Sequence, residues 1–333
     1  MAPSTSLGKI SLPRQQRRLL QPLSSPKHKR VAAAPPAVLL QELFGDAQAA
    51  AAQPPKTRRA SDETLAVHAG EKLGRGADGA TTDSIATPIV SGTTHWFKSS
   101  EDLIAFKEGR RHSHEYGRRY SNPTVKVLED KISALERAEA TLVTSSGMNA
   151  IVATLLALVP PGGHVVTTTD CYSEARAFIG DRLSKMGIRS TFIDLDDMKS
   201  LQAVLDQNDV TLFYADSPTN PLLKCVDIRL VAELCHQKGA LVCIDSTLAS
   251  PINQKPLTLG ADIVLHSATK YMAGHHDVIA GCVSGSEALI SKIRAWHYDL
   301  GGAISPVRVH LNMRIIEYNP VDFPQKGCTD LYS

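Results

Sequence analysis

From residue 122 onward the sequence keeps changing period, and this alternation narrows the possible folds more than any other feature. Val125, Leu128, Ile132 and Leu135 recur every three or four residues, which puts them on one face of a helix. Short apolar runs rich in strand formers then alternate with further helical patterns. The runs lie at 141–144, 164–168, 191–194, 210–215, 241–244 and 262–265. The helical patterns lie at 149–159, 174–186, 198–207 and 228–238. Strands that are apolar throughout are buried on both faces, so this order predicts a mostly parallel α/β sheet with helices on each side. In such sheets ligands bind beyond the carboxyl ends of the strands.

Polar residues stand at those ends. The run at 262–265 leads into Ser267, Ala268, Thr269 and Lys270. A lysine just past a strand end, among hydroxyls and with Gly274 giving the backbone room, suits a Schiff base with a carbonyl cofactor. Ser267 and Thr269 are placed to hydrogen-bond a phosphate of the same molecule. After the first strand, Thr144-Ser145-Ser146-Gly147-Met148 opens a helix whose free N–H groups suit a phosphate. Tyr172 follows the second strand and suits stacking on an aromatic ring. Asn220, in the stiff Asp216-Ser217-Pro218-Thr219-Asn220-Pro221 loop, suits a ring oxygen. Asp245 ends the strand at 241–244, where an aspartate is costly without a cation or donors. A protonated pyridine nitrogen is such a cation. Each residue alone has an ordinary explanation: surface lysine, helix start, rim or core tyrosine, Pro-Asn turn, capping aspartate. Five such placements after five separate strands together describe a site for pyridoxal 5'-phosphate.

Composition divides the chain in two. Residues 1–60 carry ten Lys/Arg against Glu42 and Asp46, a balance of +8; the remainder holds 26 basic and 32 acidic residues, or −6. The first sixty residues are also rich in Ala, Ser and Pro, which fits an organelle transit peptide, the alternative being a disordered basic tail for an acidic surface. They contain no long apolar run, which argues against a secretory signal. No later run reaches membrane-spanning length, and no basic stripe marks a nucleic-acid surface. The six cysteines form no CxxC pair and read as buried free thiols, not as disulfides or metal ligands.

The stretches VTTTDCY, DSPTNP, CVDI, LCHQKGALVCIDST, LGADIVLHSATKY and GHHDVIAGC resemble the γ-family of pyridoxal-phosphate enzymes of cysteine and methionine metabolism, most closely its plant plastid branch. The resemblance covers residues 61–306. It implies an aspartate-aminotransferase-like large domain (pyridoxal-phosphate fold type I) and a homotetramer built from tight dimers. It implies Lys270 as Schiff-base lysine and proton shuttle, Asp245 on the pyridinium and Tyr172 on the ring. Ser146, Gly147, Met148, Ser267 and Thr269 would hold the phosphate, with Asn220 and Thr247 near the ring. A family motif of the form YxRxxNPT reaches the phosphate across the dimer interface. Here the text from Tyr116 to Thr124 is one residue longer, so Tyr116 with Arg118 keeps one spacing and Arg119 the other; Tyr116 and Arg118 are favoured.

The implied domains are a transit peptide at 1–60, an arm and intersubunit segment at 61–121, a cofactor-binding large domain at 122–306 and a divergent tail at 307–333. The C-terminal small domain, which in the family grips the substrate α-carboxylate, reads as absent. The implied reaction is a γ-replacement in methionine biosynthesis, forming cystathionine from cysteine and an activated homoserine, O-phosphohomoserine in plants. Arg176, four residues after Tyr172, is a candidate contact for its phosphate. The implied place is the plastid stroma, the alternative cytoplasmic. Alternatives for function are a truncated, non-catalytic form that binds cofactor or intact subunits, a γ- or β-lyase, and a homoserine sulfhydrylase.

Overall fold

The computed structural model describes residues 60–70, 86–117 and 122–318. The basic leader before residue 60, Arg118, Arg119 and the tail past residue 318 lie outside the described residues. In chain order the first helices are α1 (Asp62–His68), α2 (Ser100–Lys107) and α3 (Pro123–Glu136). The α3 start follows from its sequence: the Asn122 side chain accepts the Thr124 N–H at 2.8 Å, and Pro123 has no N–H to leave unpaired. The four residues on its periodic stripe, Val125, Leu128, Ile132 and Leu135, are all buried.

Then come β1 (Ala140–Thr144), α4 (Gly147–Leu158), β2 (His164–Thr168), α5 (Ser173–Ala177), β3 (Arg189–Ile193), α6 (Met198–Gln207), β4 (Leu212–Asp216), α7 (Ile228–His236), β5 (Leu241–Asp245) and β6 (Ile263–His266). The alternation was therefore read correctly, with ends shifted by a residue or two. The helical pattern at 174–186 is not one regular helix. It passes from α5 through a π-helical turn at Phe178–Arg182 into Leu183–Lys185.

The seven-stranded sheet has the order β1-β7-β6-β5-β4-β2-β3. Sequence periodicity missed β7 (Gly281–Gly285), a Gly-Cys-Val-Ser-Gly run that pairs antiparallel with both β1 and β6. The other six strands point the same way, so the carboxyl ends of β1, β6, β5, β4 and β2 share one edge. Buried side chains on the two faces form the core, each large aliphatic one contributing about 2 kcal/mol.

After β7 come α8 (Glu287–Asp299) and α9 (Pro306–Tyr318). α9 begins where the divergent tail was expected, and its Val309, Met313 and Ile316 are buried in one core cluster with residues of α1 and α3. The segment 86–99 has little regular structure. Its start is pinned to α3, where the Thr124 hydroxyl donates to the Pro88 carbonyl and Asn122 to that of Val90. Four of the cysteines, Cys171, Cys235, Cys243 and Cys282, are buried and free. Cys225 departs from expectation, being half-buried and disulfide-bonded; Cys328 lies outside the described residues. Among the described residues no helix is long and apolar enough to cross a membrane.

Candidate cofactor and active site

The ends of β5, β6 and β1 are joined through Thr247. Its N–H and hydroxyl both donate to Asp245 Oδ1, at 3.0 and 2.5 Å, and its Oγ1 accepts the Ser267 N–H at 2.8 Å. Ser267 lies against Gly147 so closely that a Cβ on Gly147 would stand 2.7 Å from the Ser267 Cβ. Behind it, a Cβ on Gly281 would stand 2.3 Å from the Ser146 carbonyl oxygen. Gly281, one of the two glycines that weaken the β7 strand signal, is thus what lets the α4 N-terminus seat on the sheet.

At that N-terminus the Ser146 side chain accepts the Asn149 N–H at 3.1 Å. The N–H groups of Gly147 and Met148 donate to no acceptor in the described residues, which leaves two aligned donors at the positive end of a twelve-residue helix. Lys270 is exposed in the turn after β6, and no described acid or carbonyl engages its ammonium. The Thr269 hydroxyl is already occupied, donating to the Ala280 carbonyl at 3.0 Å and accepting the Ala280 N–H at 3.1 Å.

Asp245 is 7% exposed and its other oxygen accepts the Tyr214 hydroxyl at 3.3 Å. Burial pushes its carboxyl above the usual carboxylate range against the opposing hydrogen bonds from Thr247. Its neighbour in register, Asp216 on β4, is 6% exposed and is pushed up to about 8, first by burial and then by the charge of Asp245. No described lysine or arginine pairs with either. Two adjacent buried carboxylates cannot both ionise without a cation. A ligand that brings a ring cation to Asp245 and a phosphate to the α4 N-terminus therefore fits this edge, and pyridoxal phosphate carries both.

The β2–β4 side is more open. Tyr172, Ser173, Arg176, Thr219 and Asn220 line a cavity of about 310 Å³. Arg176 is exposed and donates to the Thr169 carbonyl at 2.7 Å. The loop below Asn220 is anchored by Gln254, which donates to the Ser217 carbonyl at 2.9 Å.

The structure thus brings Asp245, Thr247, Ser267, Ser146 and Gly147 into one linked cluster, with Lys270 in the adjoining turn and Tyr172 and Asn220 together on the neighbouring cavity. It does not bring Tyr116 there: that residue pairs with Thr94 and lines a separate cavity of about 200 Å³ with Glu129, Arg294 and His297. Asp216 was missed as a site residue. The signal was available, since it ends an apolar strand just as Asp245 does.

The family model described as "Cys/Met metabolism PLP-dependent enzyme" matches residues 63–317, which extends past residue 306 and takes in nearly all of α9. The chain is 58% identical over 271 residues to "Cystathionine gamma-synthase 1, chloroplastic" of Nicotiana tabacum, covering 81% of this chain and 49% of the relative. It is 56% identical to the protein of the same name from Arabidopsis thaliana, covering 76% of this chain and 44% of the relative. The crystal structure of cystathionine gamma synthase from Xanthomonas oryzae pv. oryzae in complex with aminoacrylate and cysteine superposes with a TM-score of 0.70 at 32% identity. That match covers 78% of this chain and 64% of the other. The chain thus spans about half the length of these two plant relatives.

Proposed function

The chain belongs to the Cys/Met metabolism PLP-dependent enzymes, and on that premise we propose that it serves a γ-replacement joining cysteine sulfur to O-phosphohomoserine to form cystathionine. The observation that carries this reading is the cluster Asp245–Thr247–Ser267–Gly147 beside an unengaged Lys270. Bound pyridoxal phosphate supplies the electron sink for charge at the substrate α-carbon. Lys270 holds the cofactor through its amine and, once released, moves protons at the substrate carbons. Asp245 would pair with the ring nitrogen, and Tyr172, Asn220 and Thr247 would hold the ring. The N–H groups of Gly147 and Met148, with Ser146 and Ser267, would bind the phosphate; the Thr269 hydroxyl would join them only on leaving its bonds to Ala280.

Tyr116 and Arg118 reach the phosphate from a second copy, a reading supported by the placement of Tyr116 on a different cavity from Tyr172. This makes the working unit at least a dimer and, by the family pattern, a homotetramer. Arg176, at the cavity beside Tyr172, receives the γ-phosphate of the substrate. Plastid location is supported by the basic, acid-poor leader and by relatives named chloroplastic.

The test is to purify the 333-residue chain, record its visible spectrum with pyridoxal phosphate, and assay cystathionine from O-phosphohomoserine and cysteine. Visible absorbance fixed by borohydride, with cystathionine formed only when cysteine is present, is the expected result. Keto acid and ammonia released without cysteine would replace the synthase reading with a lyase. Absorbance without either product would leave a cofactor-binding, non-catalytic chain.

A further inference from the structure

Two neighbouring strands end on buried carboxylates, and so far only Asp245 has a task. We propose that Asp216 is a positioning residue of the cofactor site, seating Tyr172 through the Tyr172 backbone N–H from the strand beside Asp245. The inference rests on the pyridoxal-phosphate reading above. Its basis is geometric. Asp216 and Asp245 are partners in the parallel register of β4 and β5, so their side chains share a face. Asp216 Oδ2 accepts the Tyr172 N–H at 2.9 Å. Tyr172 is the residue before α5 and has no side-chain cap of its own, so Asp216 supplies from another strand the acceptor that the local sequence lacks. The Tyr172 side chain is 42% exposed, and its backbone anchor therefore does much to set where the ring stands.

The other oxygen, Asp216 Oδ1, is buried without a partner. Leaving it so is costly, and the cost grows if both carboxylates ionise. The groups facing Asp216 are Asp245 on β5, Tyr214 on its own strand and Cys171 in the β2–α5 connection, and none of them is cationic. With Asp216 raised to about 8, the pair keeps a proton near neutrality and releases it in mild alkali. A ring cation beside Asp245 relieves that repulsion, so cofactor binding and the charge of Asp216 are linked.

The test uses the full chain without cofactor, with Asp216→Asn and Asp216→Ala variants whose folding is checked by circular dichroism. Asparagine keeps an acceptor for the Tyr172 N–H but cannot ionise; alanine removes both. Pyridoxal phosphate affinity is measured by equilibrium dialysis, and melting of the cofactor-free protein is followed from pH 6 to 9. Asp216→Ala should weaken affinity about five- to tenfold at every pH, no more than removal of the Tyr172 ring itself, while Asp216→Asn stays within about twofold of wild type near pH 7. Wild-type melting temperature should fall across that pH range and the Asp216→Asn profile should be flatter, a difference that loss of packing alone does not produce. Wild-type affinity in Asp216→Ala, or equal weakening in both variants, overturns the positioning role alone. Failure of the wild type itself to hold pyridoxal phosphate overturns the cofactor reading and this inference with it.

Discussion

The two halves of the strand-end edge are built on different principles. On the β1–β6–β5 side, polar atoms are tied across strands and the backbones touch: Thr247 bridges Asp245 to Ser267, and Gly147 and Gly281 have no room for a methyl group. On the β2–β4 side, Tyr172 is held through its backbone alone, its N–H to Asp216 and its carbonyl to the Arg176 N–H, Asn220 is exposed and a cavity opens between them. The first half suits a part of a ligand that never changes, a phosphate and a charged ring. The second suits a part that comes and goes, a substrate side chain and its leaving group. Preorganisation is concentrated where the cofactor is anchored, and room is left where substrates exchange.

Substitutions can break this contrast. The largest loss is expected at Lys270, which belongs to neither half but to the turn beside the rigid one. Lys270→Ala should lower cystathionine formation by about a thousandfold or more and leave no cofactor fixed by borohydride at that position. Peptide mass spectrometry finding the label on another lysine would unseat the assignment. Next come two glycines, one in each half. A Cβ on Gly281 meets the Ser146 backbone at 2.3 Å, which no rotamer change relieves, so Gly281→Ala should cost about 2–3 kcal/mol and loosen cofactor retention. Gly180, in the π-helical turn that follows α5, would place its Cβ 3.4 Å from the Phe192 ring, an ordinary contact. Gly180→Ala should shift stability by less than about 1 kcal/mol in either direction. Equal melting temperatures for the two variants would mean that the halves do not differ in rigidity.

Cofactor affinity gives a finer measure. Asp245→Ala removes a buried partner of a charged ring, and affinity should fall about 100-fold. Tyr172→Ala removes only stacking on the open side, with an expected loss of about tenfold or less. A reversed order, read from equilibrium dialysis, would shift the main anchor of the ring to the β2 side.

How much of this was legible in the sequence follows the same divide. Residues that end apolar strands were readable, because a lysine or aspartate there has no packing reason to exist. Lys270, Asp245, Tyr172, Asn220 and the Ser146–Gly147 turn were all singled out this way, and β2 and α6 were placed to the residue. What escaped were features whose cause lies in another strand. The β7 run has two glycines in five residues, a poor strand by propensity, and is glycine-rich because Ser146 and Asp262 crowd it from outside. The Thr269 hydroxyl reads as free for a phosphate until Ala280 is seen to occupy it. Residues past 306 read as foreign because their text departs from the family motifs, yet their apolar spacing still buries Val309, Met313 and Ile316. Periodicity outlasts motif, since a core demands hydrophobicity and volume before identity.

The last test probes the rigid half through acid. His297 on α8 is buried, and its Nδ1 lies 3.0 Å from Asn149 Oδ1, tying α8 to the first turn of α4. Burial first, and the charge of Arg294 second, depress the imidazole to about 4. A histidine held neutral in the folded state but free to protonate near 6.5 in the unfolded state stabilises fully above that value. The stabilisation is lost as pH falls towards 4, because the unfolded chain then binds the extra proton. The cofactor-free protein should therefore lose of order 1–2 kcal/mol through this residue between pH 6.5 and 4. His297→Asn keeps an N–H for Asn149 without titrating, so its acid limb should be shallower than wild type when melting is followed over that range. Asp216 predicts the opposite limb, with loss of stability as pH rises towards 8. The two limbs overlap and oppose each other between pH 4 and 6.5, and only the Asp216 limb remains from there to pH 8, so each variant is compared with wild type over the same range. An unchanged acid limb in His297→Asn would move the cause to the other carboxylates and leave the α4 seat resting on its glycine contacts alone.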